Sequence, residues 1–382
     1  MPLSGFADLP LHWGHVPPWL ARIMFNLSKA ILEVMLIEFK TEDILKRFSN
    51  PLWFQAFNNV IGMDWDSSGS TTVTTAMVKN ALNELNADLR VAGGKGVVSR
   101  ETPAEIRRYG DELSLNSGVV ENLIRISRLG AKVDNALLQD GFDLYHHTLL
   151  LDSKGNWVIV QQGMNTELRL ARRYHLAWFV SDDLTLEPHA GVASDITTNP
   201  LNLTVKDSLN CRKVVLELLN EKPSKIVGEL GKVNALLKGI KPLFGEALVK
   251  TLPTKLPYYK PVKLSEALLK QLNKAYEVKP VDFNEALLIA GLGPETLRAL
   301  ALISELIYRE PPSNKDVVTH SYDPFKYAYA IGGKDGVPYP VKKEVALRVI
   351  KELEDLVSNA RLGDKERLLA FRALSRLAPK DV

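Results

Sequence analysis

The chain has 382 residues, with 48 Lys and Arg against 45 Asp and Glu for a formal net charge of +3. A content of 46% hydrophobic and 24% charged residues is that of a chain that buries a core, which excludes a disordered or low-complexity protein. A single cysteine, Cys211, excludes an internal disulfide, a multi-cysteine zinc cluster and an iron–sulfur site, so any metal must sit on carboxylate, carbonyl or imidazole ligands.

The first residues, Met1 to Asp8, carry neither a cationic start nor a following apolar run, and the longest apolar stretches, Ile31–Phe39 and Ala299–Ile307, contain Glu33, Glu38 and Glu305. A soluble, cytoplasmic protein without membrane contact is therefore expected. Apolar residues at helical spacing predict a helix over Trp19–Phe39 and a second, after Thr41-Glu42-Asp43, over Ile44–Phe48. The polar run 67–72 reads as a connection to a helix from Val73 to about Leu89, followed by the glycine loop Gly93-Gly94-Lys95-Gly96. Thr102-Pro103 reads as the start of the next helix.

Two runs rich in aromatic and branched residues, Asp143–Leu151 and Trp157–Gly163, predict a β-hairpin turning at Gly155. With a three-residue loop, His147 faces Gln161 and His146 faces Gln162; a four-residue loop shifts this by one. Thr166–Val180 reads as an amphipathic helix, and from Asp207 nearly everything reads helical apart from the proline-punctuated stretch 252–261. The expected fold is mainly α with a small antiparallel β element. An α+β unit over 1–206 carries the candidate chemistry, and a helical, lysine-rich unit spans 207–382. Residues 222–279 hold twelve lysines and four glutamates with no Arg or Asp, a net +8 that leaves −5 for the rest of the chain. Such a stretch attracts a polyanion, unless its lysines only solvate helix faces.

The sharpest local pattern is Gly291-Leu292-Gly293-Pro294-Glu295-Thr296-Leu297-Arg298 between helical runs. It resembles the helix-hairpin-helix of DNA-repair proteins, in which two glycines bring backbone amides and a helix start up to a phosphate. The Gly-x-Gly-x-x-Thr spacing is similar to that of endonuclease III-type glycosylases. The lysine of their lyase members is replaced here by Glu295, and Asp316 falls later and in a different context than their aspartate. The resemblance therefore implies backbone binding through Gly291, Gly293, Thr296 and Arg298, and leaves the glycosylase active site aside. A plain tight turn between helices is the alternative.

A second constellation joins Lys132, Asp134 and Asp140 to the hairpin residues His146, His147, Gln161 and Gln162. If these are neighbours, Asp134, Asp140 and His147 can hold a divalent ion, Mg²⁺ or Mn²⁺, or activate water for attack on a phosphodiester, while Arg172, Arg173 and His175 neutralise phosphate charge. The alternative is that His and Gln satisfy each other across strands while both Asp side chains cap turns. Restriction-type nucleases carry an acid, a spacer and a lysine on the second strand, where this chain has Val160-Gln161-Gln162-Gly163-Met164, so that assignment is not supported.

Lys95 and Lys334, each in a glycine loop, are further candidates for phosphate contact, without the spacing of a nucleotide-triphosphate loop. His12 and His15 beside Trp13 and Trp19 read as members of an aromatic cluster, and Cys211 has no nucleophile motif around it.

The runs 9–20, 64–72, 93–106, 134–147, 157–165, 172–175, 187–190, 291–312 and 332–341 together resemble domain-of-unknown-function family 763 of archaea and bacteria, over roughly residues 3–345. The resemblance carries no activity with it. The residues point to a nucleic-acid-processing hydrolase of the DNA-repair type, a nuclease or glycosylase, acting on DNA in preference to RNA. The alternatives are a non-enzymatic nucleic-acid-binding or adaptor protein and a metabolic hydrolase with an accidental hairpin.

Overall fold

The computed structural model describes residues 18–62, 69–238, 256–321 and 343–377. The N-terminal helices are α1 (Pro18–Glu38), α2 (Thr41–Ser49), α3 (Pro51–Val60) and α4 (Ser70–Glu84). The side chain of Asn50 starts α3 by accepting from the amides of Leu52 and Trp53, with Pro51 in the first turn where a missing N–H costs nothing. All of α3 is buried, including Gln55, Asn58 and Asn59, so these three amides must find partners inside the protein.

Strand β1 (Leu89–Lys95), a 3₁₀ turn (Gly96–Glu101), α5 (Thr102–Glu112), α6 (Ser117–Lys132) and a π-helical turn (Val133–Leu137) follow. Next come β2 (Leu138–Gln139), β3 (Asp143–Asp152), β4 (Trp157–Asn165), β5 (Leu170–Ala177), β6 (His189–Ala193) and β7 (Leu201–Asn202). The C-terminal half holds α7 (Leu209–Leu219), α8 (Pro223–Leu237), α9 (Glu266–Val278), α10 (Phe283–Leu288), α11 (Pro294–Leu306), α12 (Lys343–Asn359) and α13 (Asp364–Leu377). The fold is mainly α with a small antiparallel sheet, as expected.

That sheet is five-stranded in the order β1-β3-β4-β5-β6, and β2 pairs separately with β7. The hairpin register is the expected one, with His147 opposite Gln161 and His146 opposite Gln162. Two expectations are corrected. The segment 166–180 is not a helix: its centre is β5, paired with β4 on one side and β6 on the other. The helix expected to run to Leu89 ends at Glu84, and the Gly93-Gly94-Lys95 stretch is the end of a paired strand, not a free loop.

Side chains alternate across the sheet. Leu149, Leu151, Ile159, Tyr174 and Leu176 join a core with α5, α6 and α7–α11, here called the α6 face. Leu150, Val158, Val160 and Ala177 join a second core with α1–α4, α12 and α13, the α3 face. Each core therefore draws on residues from both sides of position 206. Among the described residues no helix is long and apolar enough to cross a membrane.

Candidate functional site

The sheet sorts the expected site residues into two buried networks on opposite faces, where the sequence suggested one cluster. On the α6 face, the Ser127 hydroxyl meets His147 Nε2 at 2.8 Å. His147 Nδ1–H donates to Gln161 Oε1 at 2.7 Å, since that oxygen can only accept. Gln161 Nε2 donates to Asp134 Oδ2 (2.6 Å) and to the Gly130 carbonyl (3.0 Å), and His189 Nε2–H donates to Asp134 Oδ1 at 2.6 Å. Two backbone features make this possible. The π-turn swings Asp134 inward, and Gly130 lets β4 approach α6 so closely that a Cβ there would lie 2.6 Å from Ile159 Cδ1.

Further along the same face, Asp140 Oδ2 accepts from Arg172 Nη1 (2.8 Å) and from the Tyr174 hydroxyl (2.7 Å). Arg172 also forms a forked pair with Asp316, at 3.1 and 3.0 Å. Burial works against the charge of Arg172, but Asp140 and Asp316 outweigh it and hold the guanidinium cationic. Burial pushes the Asp140 carboxyl above its ordinary value, against the pull of Arg172 and Tyr174. Burial also lowers His147, with the Gln161 bond opposing. Of the atoms named here, only Arg172 Nε lacks a partner.

The expected metal ligands are not assembled. Asp134 is bonded to Gln161 and His189, Asp140 to Arg172 and Tyr174, and His147 to Ser127 and Gln161. Among the described residues no three His, Cys, Asp or Glu side chains are placed to share an ion. The sequence reading missed Ser127, Tyr174, His189 and Asp316 as members of this network.

On the α3 face, Lys95, His146, Gln162 and Arg173 stand side by side as one cross-strand row through β1, β3, β4 and β5. Thr75 Oγ1 donates its proton to the Thr71 carbonyl (2.8 Å) and so accepts from His146 Nε2–H (3.0 Å). This fixes the tautomer and leaves His146 Nδ1 as a lone pair. His175 Nδ1–H donates to the Phe48 carbonyl (3.0 Å), and its Nε2 accepts from Arg173 Nε at 3.0 Å. Arg173 Nη1 donates to Gln55 Oε1 at 3.2 Å and lies 3.5 Å from Thr71 Oγ1, and its guanidinium stacks 4.6 Å from the Phe54 ring centroid. Gln162 bonds to the Tyr145 hydroxyl. Burial, with help from His147 and Lys95, depresses His146 to about 3. Burial and Arg173 hold His175 well below its ordinary value and His320 at about 4. These imidazoles are neutral at pH 7.

The two helices α10 and α11 meet at the turn 289–293. Gly291 adopts φ +92°, open to glycine and strained for other residues, and Gly293 is extended at the start of α11. Gly291 is exposed and Gly293 half-buried, but the flanking side chains are committed elsewhere. Thr296 is buried and donates to Gln271 of α9. Arg298 pairs with Glu295 at 2.7 Å and donates to the carbonyls of Tyr258 and Lys260 at 3.2 and 2.6 Å. Thr296 and Arg298, expected to contact phosphate, instead fasten the turn to its neighbours. Lys132 belongs here too: its ammonium donates to the Leu292 carbonyl, and burial lowers its pKa.

Beside the turn lies a cleft of about 380 Å³, lined among others by Asp143, Tyr258, Lys260 and Glu295. Lys95 is exposed at the end of β1. Lys334, His12 and His15 lie outside the described residues. Cys211 is buried, which raises its thiol to about 11 and removes it as a nucleophile.

The family model for "Protein of unknown function (DUF763)" matches residues 5–341. The chain belongs to the DUF763 family. It matches no curated protein and no solved structure. Both buried networks and the turn 289–293 lie inside the span that the DUF763 model covers.

Proposed function

We propose that this DUF763 protein grips the phosphate backbone of nucleic acid, DNA in preference to RNA, in the manner of a helix-hairpin-helix, and processes it hydrolytically as repair nucleases do. One observation carries the binding half. The bond from Thr296 to Gln271 ties α11 to α9, and so sets the exposed Lys270 and Lys274 beside a turn at which Gly291 is itself exposed. Exposed Lys260 lines the cleft at the start of α11, and Lys263 and Lys279 are exposed in the same stretch. Cations around accessible backbone amides suit phosphate, and do so without reading base sequence.

The processing half is supported by the row of Lys95, His146, Gln162 and Arg173, which begins at the same end of the sheet. His146 lies three residues, roughly 10 Å, along β3 from Asp143 of the cleft. The α6-face network, in which every named atom but Arg172 Nε is paired, favours a second reading, in which that network only supports a binding protein.

Shift assays on duplex DNA and RNA across salt concentrations test the binding. Affinity should fall steeply with salt, and Lys270→Glu with Lys274→Glu should weaken it about tenfold or more. Gly293→Val should weaken it without unfolding the chain, because a Cβ there meets nothing closer than the Gly291 carbonyl at 3.6 Å. No binding at low salt, or binding indifferent to these changes, overturns the reading. A panel of damaged and branched oligonucleotides with Mg²⁺, Mn²⁺ or chelator tests the processing. Activity retained in Lys95→Ala and His146→Ala would overturn the part given to the row, and activity retained in Asp134→Ala and His147→Ala would release the α6 face from any role in it.

A further inference from the structure

The two polar networks differ in how many buried groups they leave unpaired: of its named atoms, the α6 face leaves only Arg172 Nε. On the α3 face, Asn58 Nδ2, Asn59 Nδ2 and His146 Nδ1 are all buried without a hydrogen-bond partner. Native interiors rarely leave such groups unmade, because each orphan costs its full desolvation, and three in one network call for a ligand or ordered solvent.

Asn59 and His146 belong to one hydrogen-bonded chain, and Asn58 stands beside it on the same two helices. Asn59 Oδ1 accepts from Gln55 Nε2 (3.2 Å), and Gln55 Oε1 accepts from Arg173. Arg173 reaches Thr71, whose carbonyl accepts from Thr75, the partner of His146. Asn58 Oδ1 accepts from Thr74 of the same helix α4. With their oxygens used, both asparagines have only N–H groups left to offer. They are joined by a guanidinium already oriented by His175, although Arg173 also makes contacts beyond those named. The first turn of α4, including buried Ser70 and Thr71, brings its positive dipole end to the same place.

We propose that this assembly between α3, α4 and the sheet is a binding site for a phosphate-class oxyanion, with the Asn58 and Asn59 amides as donors and the Arg173 guanidinium as the neighbouring positive charge. His146 Nδ1 accepts from a hydroxyl of the ligand or of water beside it. Because His146 stays neutral throughout the physiological range, its part is that of a hydrogen-bond acceptor and not of a proton store. Exposed Lys95, at the outer end of the same row, draws the anion in. The choice of phosphate over other oxyanions rests on the nucleic-acid reading, while the donor set stands without it.

Calorimetric titration with inorganic phosphate, backed by ³¹P line widths, tests the site in the full chain. Saturable binding at millimolar concentration or tighter is expected, with a loss of roughly tenfold in Asn58→Leu/Asn59→Leu and a few-fold loss in Lys95→Gln. The surface variant Lys95→Gln keeps the test open if the asparagine pair does not fold. No binding by folded wild type up to about 50 mM overturns the proposal, as does affinity unchanged in both variants, which is how a general salt effect behaves. The Lys270→Glu/Lys274→Glu protein separates the two readings. Phosphate binding retained there with DNA binding lost supports both. Phosphate binding in a wild type that binds no nucleic acid keeps this site and removes the grip.

Discussion

Arg172 and Arg173 are adjacent in the chain and point to opposite sides of the sheet, one into a cage of carboxylates and the other into a cage of amides and hydroxyls. Arg172→Met should therefore be severe. It leaves Asp140 and Asp316 buried without their cation, which costs about 3–5 kcal/mol in urea unfolding. The same variant with Asp140→Leu and Asp316→Leu should recover much of that loss, since no charge is then stranded. The buried imidazoles give a second prediction. His146, His147 and His175 are all held neutral in the fold and would take up protons near 6.5 once unfolded. Stability is therefore full above about pH 6.5 and declines as pH falls; for His146 the decline is about 1.4 kcal/mol per pH unit and continues to about pH 3, and His147 and His175 add to it in the same direction. Denaturation midpoints between pH 7 and 5 should show that slope, and His146→Gln should remove one histidine's share of it.

At the scale of elements, β1 shows how narrowly the α3-face row is set. Gly93 has φ +92°, and a Cβ there would lie 2.3 Å from the His147 carbonyl oxygen. Its amide donates to Glu105 at 2.7 Å and its carbonyl accepts from Lys79 at 3.0 Å. Gly93→Ala should cost about 3 kcal/mol or more, whereas Gly96→Ala, with φ +59° and open space around it, should cost about 1 kcal/mol by the same unfolding measurement. The β3–β4 hairpin was legible because Gly155 marks the turn and the strands carry β-branched and aromatic residues. Its register followed, and with it the His147–Gln161 contact. Strand β5 was not legible. Both its faces are buried, so arginine, tyrosine and histidine alternate with one another and no polar–apolar rhythm betrays the strand. Reading it as a helix merged two faces into one, which is why a single cluster was expected where the sheet divides two. His189 and Ser127 gave no signal, since each acts through a partner distant in the chain. Register itself now has a physical lock: a one-residue slip of β4 would carry Gln161 to α3 and Gln162 to α6, stranding polar groups on both faces.

At the scale of the molecule, the helices beyond the DUF763 match are structural members of the fold. Leu353, Leu356, Val357 and Leu374 of α12 and α13 are buried in the same core as Met24, Ile31 and Phe57. Removing residues 343–382 should expose that face and forfeit on the order of 10 kcal/mol of apolar burial, about the whole stability of an ordinary domain. The truncated chain should show lost hydrogen-exchange protection in α1 and α3, or aggregate. The same packing has a consequence for the order of events during synthesis. Helices α1 and α3 leave the ribosome well before α12 and α13, the helices that seal them. At about 5–20 residues per second the apolar side of α3 that they cover stays open for tens of seconds. The α3-face core is therefore among the last parts of the protein to close, and the nascent chain that waits for it is a natural client for chaperones.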